Sequence, residues 1–95
     1  MKLRFARGAR SQFQSAIRFI GADKPSAAIG FRARAESSLE RLKLFPESGR
    51  RIPEFPNMRY REVVIVPYRF FYRIEGNTIM IVGVWHAAQL PKEPE

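Results

Sequence analysis

No catalytic residue is fixed by the sequence, but if the chain is a nuclease, Glu54, Arg61, Arg69 and His86 are the residues left for acid–base chemistry on a phosphodiester. Metal-free RNA cleavage needs a base for the 2′-hydroxyl, a cation for the phosphate and an acid for the leaving oxygen. Glu54 fits the first task, Arg61 or Arg69 the second, and His86 the third. Composition excludes other chemistry. The chain has no cysteine, so disulfides, thiolate metal sites and a cysteine nucleophile are out. His86 is the one histidine, and a single histidine without cysteines or a carboxylate cluster does not hold zinc tightly. No metal and no cofactor is expected. A lone histidine at a strand end is more often a hydrogen-bonded structural residue than a catalyst.

Charge is the broader signal. There are 17 Lys+Arg against 9 Asp+Glu, giving a net charge of +8. Thirteen of the basic residues are arginine, whose planar fork of donors suits carboxylates and phosphates. An acidic partner is expected, either nucleic acid or an acidic protein segment. The plain alternative is a solvated basic surface. In MRYREVVIVPYRFFYRI, residues 58–74, four arginines and three tyrosines sit among branched and aromatic residues.

These side chains need elements to carry them. Ninety-five residues make one domain, expected over 1–90 with a flexible tail at 91–95. MKLRFARGARSQ lacks the apolar run of a signal peptide or membrane anchor, so a cytoplasmic protein is expected. Lys2 to Ala6 alternates as a short strand does, and Gly8 reads as a break. Ala9, Phe13, Ala16, Ile17 and Ile20 have helical spacing, with Gly21 as the stop. Pro25 suits the first turn of a second helix, whose stripe is Ala28, Phe31, Ala35, Leu39 and Leu42. Pro46 and Gly49 end it. GRRIPEFPN, residues 49–57, reads as loop. Strands are expected at about 59–66, 69–75 and 78–86, with a hairpin turn at Gly76-Asn77. The order β-α-α-β-β-β predicts an α+β fold. A helical hairpin packs on one face of a mostly antiparallel four-stranded sheet.

The turn at Gly76-Asn77 sorts the faces. It sets Ile74 against Ile79, Tyr72 against Ile81, Phe70 against Gly83 and Tyr68 against Trp85, all toward the helices. Arg69, Phe71, Arg73, Val82, Val84 and His86 then share the other face, joined by Glu62 and Val64 from the preceding strand. Arg61 lies beside them in sequence. An apolar centre rimmed by arginines is large for a monomer to leave in water, so this face is the expected partner-binding surface. A local pairing of Arg73 with Glu62 or Glu75 competes with that role. Arg69 shows no obvious acidic neighbour.

Several runs resemble one family in their order and spacing. They are Pro46-Glu47-Ser48-Gly49-Arg50-Arg51-Ile52-Pro53-Glu54, Tyr60-Arg61-Glu62, the run from Tyr68 to Ile74, and Val84-Trp85-His86. Lys24 to Ala28 resembles the family's N-P-x-A-A start of its second helix. Over roughly residues 1–90 the chain looks like the ParE branch of the RelE/ParE toxins of bacterial type II toxin–antitoxin modules. The resemblance implies a small basic toxin silenced by an antitoxin whose acidic, amphipathic C-terminal segment wraps it. It implies growth arrest and a role in plasmid or chromosome maintenance. ParE relatives poison DNA gyrase, whereas RelE relatives cut messenger RNA on the ribosome. RelE-type members carry a late tyrosine, and here no tyrosine follows Tyr72. The expectation is therefore a gyrase inhibitor rather than an enzyme. A metal-free, ribosome-dependent endoribonuclease is the alternative, and a basic nucleic-acid-binding module a third reading.

Overall fold

A computed structural model describes residues 1–92 of the chain. Strand β1 (Lys2–Phe5) leads within two residues into helix α1 (Arg7–Asp23), and α2 (Pro25–Leu44) follows at once. Lys24 closes one helix and opens the next: its N–H donates to Ile20 O at 3.4 Å, and its carbonyl accepts from Ala27 N at 3.0 Å. Pro25 takes the first position of α2, where a missing N–H costs nothing. Gly8 and Gly21, expected to break and stop the first helix, both lie inside it. Gly21 serves the hairpin instead. A β-carbon built there would meet the Ala28 β-carbon at 3.1 Å, so glycine lets the two helices approach at their turn.

The sheet has five strands in the order β1-β5-β4-β3-β2, one more than expected. Its members beyond β1 are β2 (Arg50–Arg51), β3 (Arg61–Ile65), β4 (Tyr68–Glu75) and β5 (Thr78–His86). β2 falls in the segment read as loop, because two residues are too few to show alternation. It pairs antiparallel with β3 through Arg50↔Glu62 and Arg51↔Arg61. β1 pairs parallel with the start of β5, Lys2 against Thr78. The β3–β4 turn is Val66-Pro67, with a cis peptide bond, and its Val66 carbonyl accepts from Arg34 Nη2 at 2.9 Å.

The helices cover one face. Phe13 of α1 stacks on Phe5, with ring centroids 5.4 Å apart, and meets Phe70 edge-on at 5.5 Å. Phe31 of α2 packs on Tyr68 at 5.4 Å. Tyr72, Ile79, Ile81 and Val84 complete this core. Ile74↔Ile79 and Tyr72↔Ile81 pair as expected. Beyond them a β-bulge shifts the register to Phe71↔Gly83, Phe70↔Val84, Arg69↔Trp85 and Tyr68↔His86. One extra residue on β5 exchanges the two faces of the strand's last third. Val84 and His86, expected on the outer face, thus turn to the helix side, and Trp85, expected in the core, pairs across from Arg69.

β1 leaves β5 after the bond from Ala6 N–H to Ile81 O at 2.9 Å. The β5 edge exposed beyond that point is partly satisfied by α1, since Val84 N–H donates to Gln12 Oε1 at 2.8 Å. The segment after β5 packs further than its composition suggests. Ala87 N–H donates to Pro67 O at 2.9 Å, and Pro91 is buried. Residues 93–95 of the expected 91–95 tail lie outside the described residues. No helix among the described residues is long and apolar enough to cross a membrane.

Candidate functional site

The outer face of the sheet holds a charged network that its own chain completes. Glu62 of β3 is 1% exposed and accepts from two arginines, Arg50 Nε and Arg69 Nε, each at 2.6 Å. Arg69, 7% exposed, also donates its terminal nitrogens to both oxygens of Glu54, at 2.7 and 2.8 Å. This bidentate pairing is the strong form of the arginine–carboxylate contact. The Arg69 guanidinium also lies 5.1 Å from the centroid of the Phe71 ring. Alternation from Arg50 puts Ile52 on this face, and Ile52 and Phe71 are both fully buried. The segment from Ile52 to Glu54 therefore straps the sheet, held by a buried isoleucine and a carboxylate clamp.

This corrects the expected partner-binding surface. Phe71 lies under the chain's own strap, and Arg69, read as lacking an acidic neighbour, has two. Val84 is buried against the helices. Of the expected apolar platform, Val64 is 50% exposed and Val82 partly so. Arg73 pairs with Glu75, one of the two acidic residues expected for it.

The acid–base candidates do not converge either. Glu54 and Arg69 sit on the outer face. His86 sits on the helix side, its ring edge-on to Tyr68 at 5.2 Å between centroids. There His86 Nδ1 accepts from Ala88 N–H at 3.0 Å, which shapes the turn after β5. Arg61 pairs with Tyr72, also on the helix side, and donates to the Gly49 carbonyl at 2.8 Å and the Glu47 carbonyl at 3.4 Å. The hydrogen bonds from Arg69 hold the Glu54 carboxyl down at about 2, despite the opposing cost of desolvation. A carboxylate that acidic is a poor general base near neutrality. The same contacts, that with Glu54 first and that with Glu62 second, raise the Arg69 pKa and fix its charge.

Residues that sequence reasoning passed over do much of the positioning. Tyr72 Oη donates to Pro46 O at 2.7 Å and accepts from Gly49 N–H at 3.0 Å. Burial raises the Tyr72 pKa and keeps the phenol protonated for that role. Gly49 is required by this approach, because a β-carbon there would stand 2.5 Å from Tyr72 Oη and 2.7 Å from Glu62 O. Pro46 and Gly49 mark the end of the second helix in the sequence but not the tyrosine that pins the turn after it. Arg51, Arg59, Arg61 and Arg73 line a concavity of about 210 Å³ near that pin. A larger cleft of about 680 Å³ lies between α1 and the end of β5, lined by Ser15, Phe19, Trp85 and His86 among others.

Comparison with known proteins adds family and fold. The family model described as ParE toxin of type II toxin-antitoxin system, parDE, matches residues 3–91. No individual curated protein matches the chain by sequence. Among solved structures, a chain of the chromosomal ParDE TA system from P. aeruginosa is similar, with a TM-score of 0.69 at 17% identity. The likeness covers 90% of this chain and 95% of that one, and shows a shared fold.

Proposed function

The chain belongs to the ParE toxin family of type II toxin–antitoxin systems, and on that premise we propose that it inhibits DNA gyrase. In this reading it is held silent in the cytoplasm by an antitoxin encoded beside it, whose acidic, amphipathic C-terminal segment binds it. The similar ParDE chain belongs to a system that joins the two kinds of component.

One observation supports an inhibitor over a nuclease. The candidate base, Glu54, and the candidate acid, His86, lie on opposite faces of the sheet, and each is already committed to a structural hydrogen bond. A general acid and a general base must both reach one scissile bond, directly or through one water. Members of a set divided by a sheet do not meet that condition.

The test uses purified chain with gyrase and supercoiled plasmid. Trapped cleavage complexes, seen as linear DNA after denaturation, are expected. Primer extension on messages translated in vitro is expected to show no new cuts. Cut messages together with unaffected gyrase would replace this reading with ribosome-dependent endoribonuclease activity. Controlled expression is expected to arrest growth and give filamentous cells, and co-expression of the neighbouring antitoxin to restore growth. A plain nucleic-acid-binding module would give no arrest, and its DNA binding would fall steeply with salt.

A further inference from the structure

Strand β5, TIMIVGVWH, contains no Lys, Arg, Asp, Glu or Pro. Those are the residues that natural proteins place on an edge strand to stop another chain pairing with it. An uncharged run of branched and aromatic residues is also the sequence type that stacks strand on strand. The first part of β5 needs no such guard. β1 lies along residues 78–81 on one side, and β4 pairs with the strand from Thr78 to His86 on the other. Among the described residues, no strand lies against residues 82–86 on the β1 side. There the edge faces the cleft of about 680 Å³ beside α1, which leaves open space where a further strand would lie.

Two glutamines occupy that edge. Val84 and His86 are two residues apart, so their N–H groups point out of the same side of the ladder. Val84 N–H donates to Gln12 Oε1 of α1 at 2.8 Å. His86 N–H donates to Gln89 Oε1 at 2.9 Å. Gln89 also completes the exchange, because its own N–H donates to His86 O at 2.9 Å. One residue thus supplies both the acceptor and the donor that an antiparallel partner residue would supply. The two carboxamide oxygens stand at successive outward donors, the places a neighbouring strand's carbonyls would take. The register shift opposite Phe71 and Tyr72 bends the strand just where β1 leaves it.

We infer that Gln12 and Gln89 hold shut a strand-addition edge on β5, and that without them a second copy of this chain pairs there, β5 against β5. A second copy is the fitting occupant for two reasons. Antiparallel pairing about a twofold axis brings the same segment to both sides, and residues 82–86 favour strand on each. The segment carries no acid or base, so the net charge of +8 does not meet itself across the contact. In the intact chain both outward donors are satisfied internally, and pairing gains no hydrogen bond from them. The inference is independent of the proposed activity.

The experiment compares the whole chain with the paired variant Gln12→Met and Gln89→Met, which keeps side-chain length and removes both acceptors. Sedimentation velocity reads the mass, and hydrogen exchange reads the Val84 and His86 amides. Wild type is expected to stay monomeric at about 100 μM with both amides protected. The diluted Met variant should exchange both amides about tenfold faster. At about 100 μM its mass should rise about twofold and the protection should return. Gln12→Glu with Gln89→Glu keeps acceptor oxygens and should stay monomeric, although it brings the net charge closer to zero. Val82→Lys, added to the Met pair at a partly exposed position, should restore the monomer, because a charge on the edge blocks pairing. If the Met pair does not fold, Gln89→Ala decides alone, since Gln89 is exposed. It should speed exchange of the His86 amide about tenfold and give a mass that rises with concentration.

A paired variant that folds and stays monomeric overturns the inference. So does association that survives Val82→Lys or leaves the Val84 and His86 amides open, because the contact then lies elsewhere. A wild-type chain already paired through β5 overturns it as well.

Discussion

Removing the Glu62 carboxylate would leave Arg50 and Arg69 facing each other without their shared acceptor. Arg69 is nearly as buried as Glu62, so its charge could not be rehydrated without opening the strap. Breaking a buried pair by removing one partner costs about 3–5 kcal/mol. Glu62→Ala should therefore lower stability by that order in a urea titration, well beyond the effect of Arg50→Ala on its exposed side. Glu54 gives the pH dependence. Its folded pKa, about 2, lies well below the ordinary carboxyl range because Arg69 hydrogen-bonds the charged form. A depressed carboxyl pKa stabilises the fold above the unfolded pKa, and that contribution disappears as pH falls through the folded one. Wild type should lose stability on acidification across that window. Glu54→Gln should start lower and show a flatter slope there, measured as melting temperature against pH. Both effects require partners brought together by the fold. The sequence places Arg69 and Glu62 seven positions apart on adjacent strands, but the outer-face grouping of the two did not by itself reveal an ion pair.

Among the elements, the hairpin of β4 and β5 divides what could be read in advance from what could not. Gly76-Asn77 is a strong turn signal, and Ile74↔Ile79 and Tyr72↔Ile81 follow from it. The bulge beyond has no comparable mark, because Val82 and Val84 are equally apolar and either could face the core. Gly83 is the one residue there without a side chain, and that absence suits many local conformations. The helices were legible from apolar spacing, whereas Gly21 misled because a helix packed against a close neighbour also selects glycine. The strap was hidden for another reason. A segment with two prolines looks like free loop, and only tertiary contacts from Ile52 and Glu54 press it to the sheet. The turn before β2 carries its own test. Gly49→Ala forces a β-carbon into the Tyr72 hydroxyl and the Glu62 carbonyl, both within 3 Å. Overpacking of this kind costs about 1–3 kcal/mol, to be read from chemical denaturation. Tyr72→Phe relieves the contact with the hydroxyl but strands Gly49 N–H and Pro46 O. It should be destabilising alone by about 1–3 kcal/mol. The double variant should lose less than the sum, because each change removes part of the other's penalty.

Across the whole molecule, positive charge is divided between two kinds of arginine. Arg69 is internal mortar, neutralised by carboxylates of its own chain. Arg51, Arg59 and Arg61 instead line a shared concavity open to solvent. Binding of any acidic partner should therefore weaken with ionic strength through the second group. Arg59→Glu should reduce that salt dependence, measured as the slope of affinity against salt concentration. The family resemblance and the fold were accessible from ordered short runs of sequence. The location of the cationic surface was not, since it depends on which arginines find carboxylates at home. One further consequence follows from the pairing of Lys2–Phe5 with Thr78–Ile81. During synthesis the opening strand leaves the ribosome early, while the strand it must lie beside is still untranslated. The sheet cannot close along that edge until nearly all of the chain has emerged. A nascent toxin thus acquires its finished outline only at the last moment, which gives a companion protein already present in the cell its earliest chance to meet it.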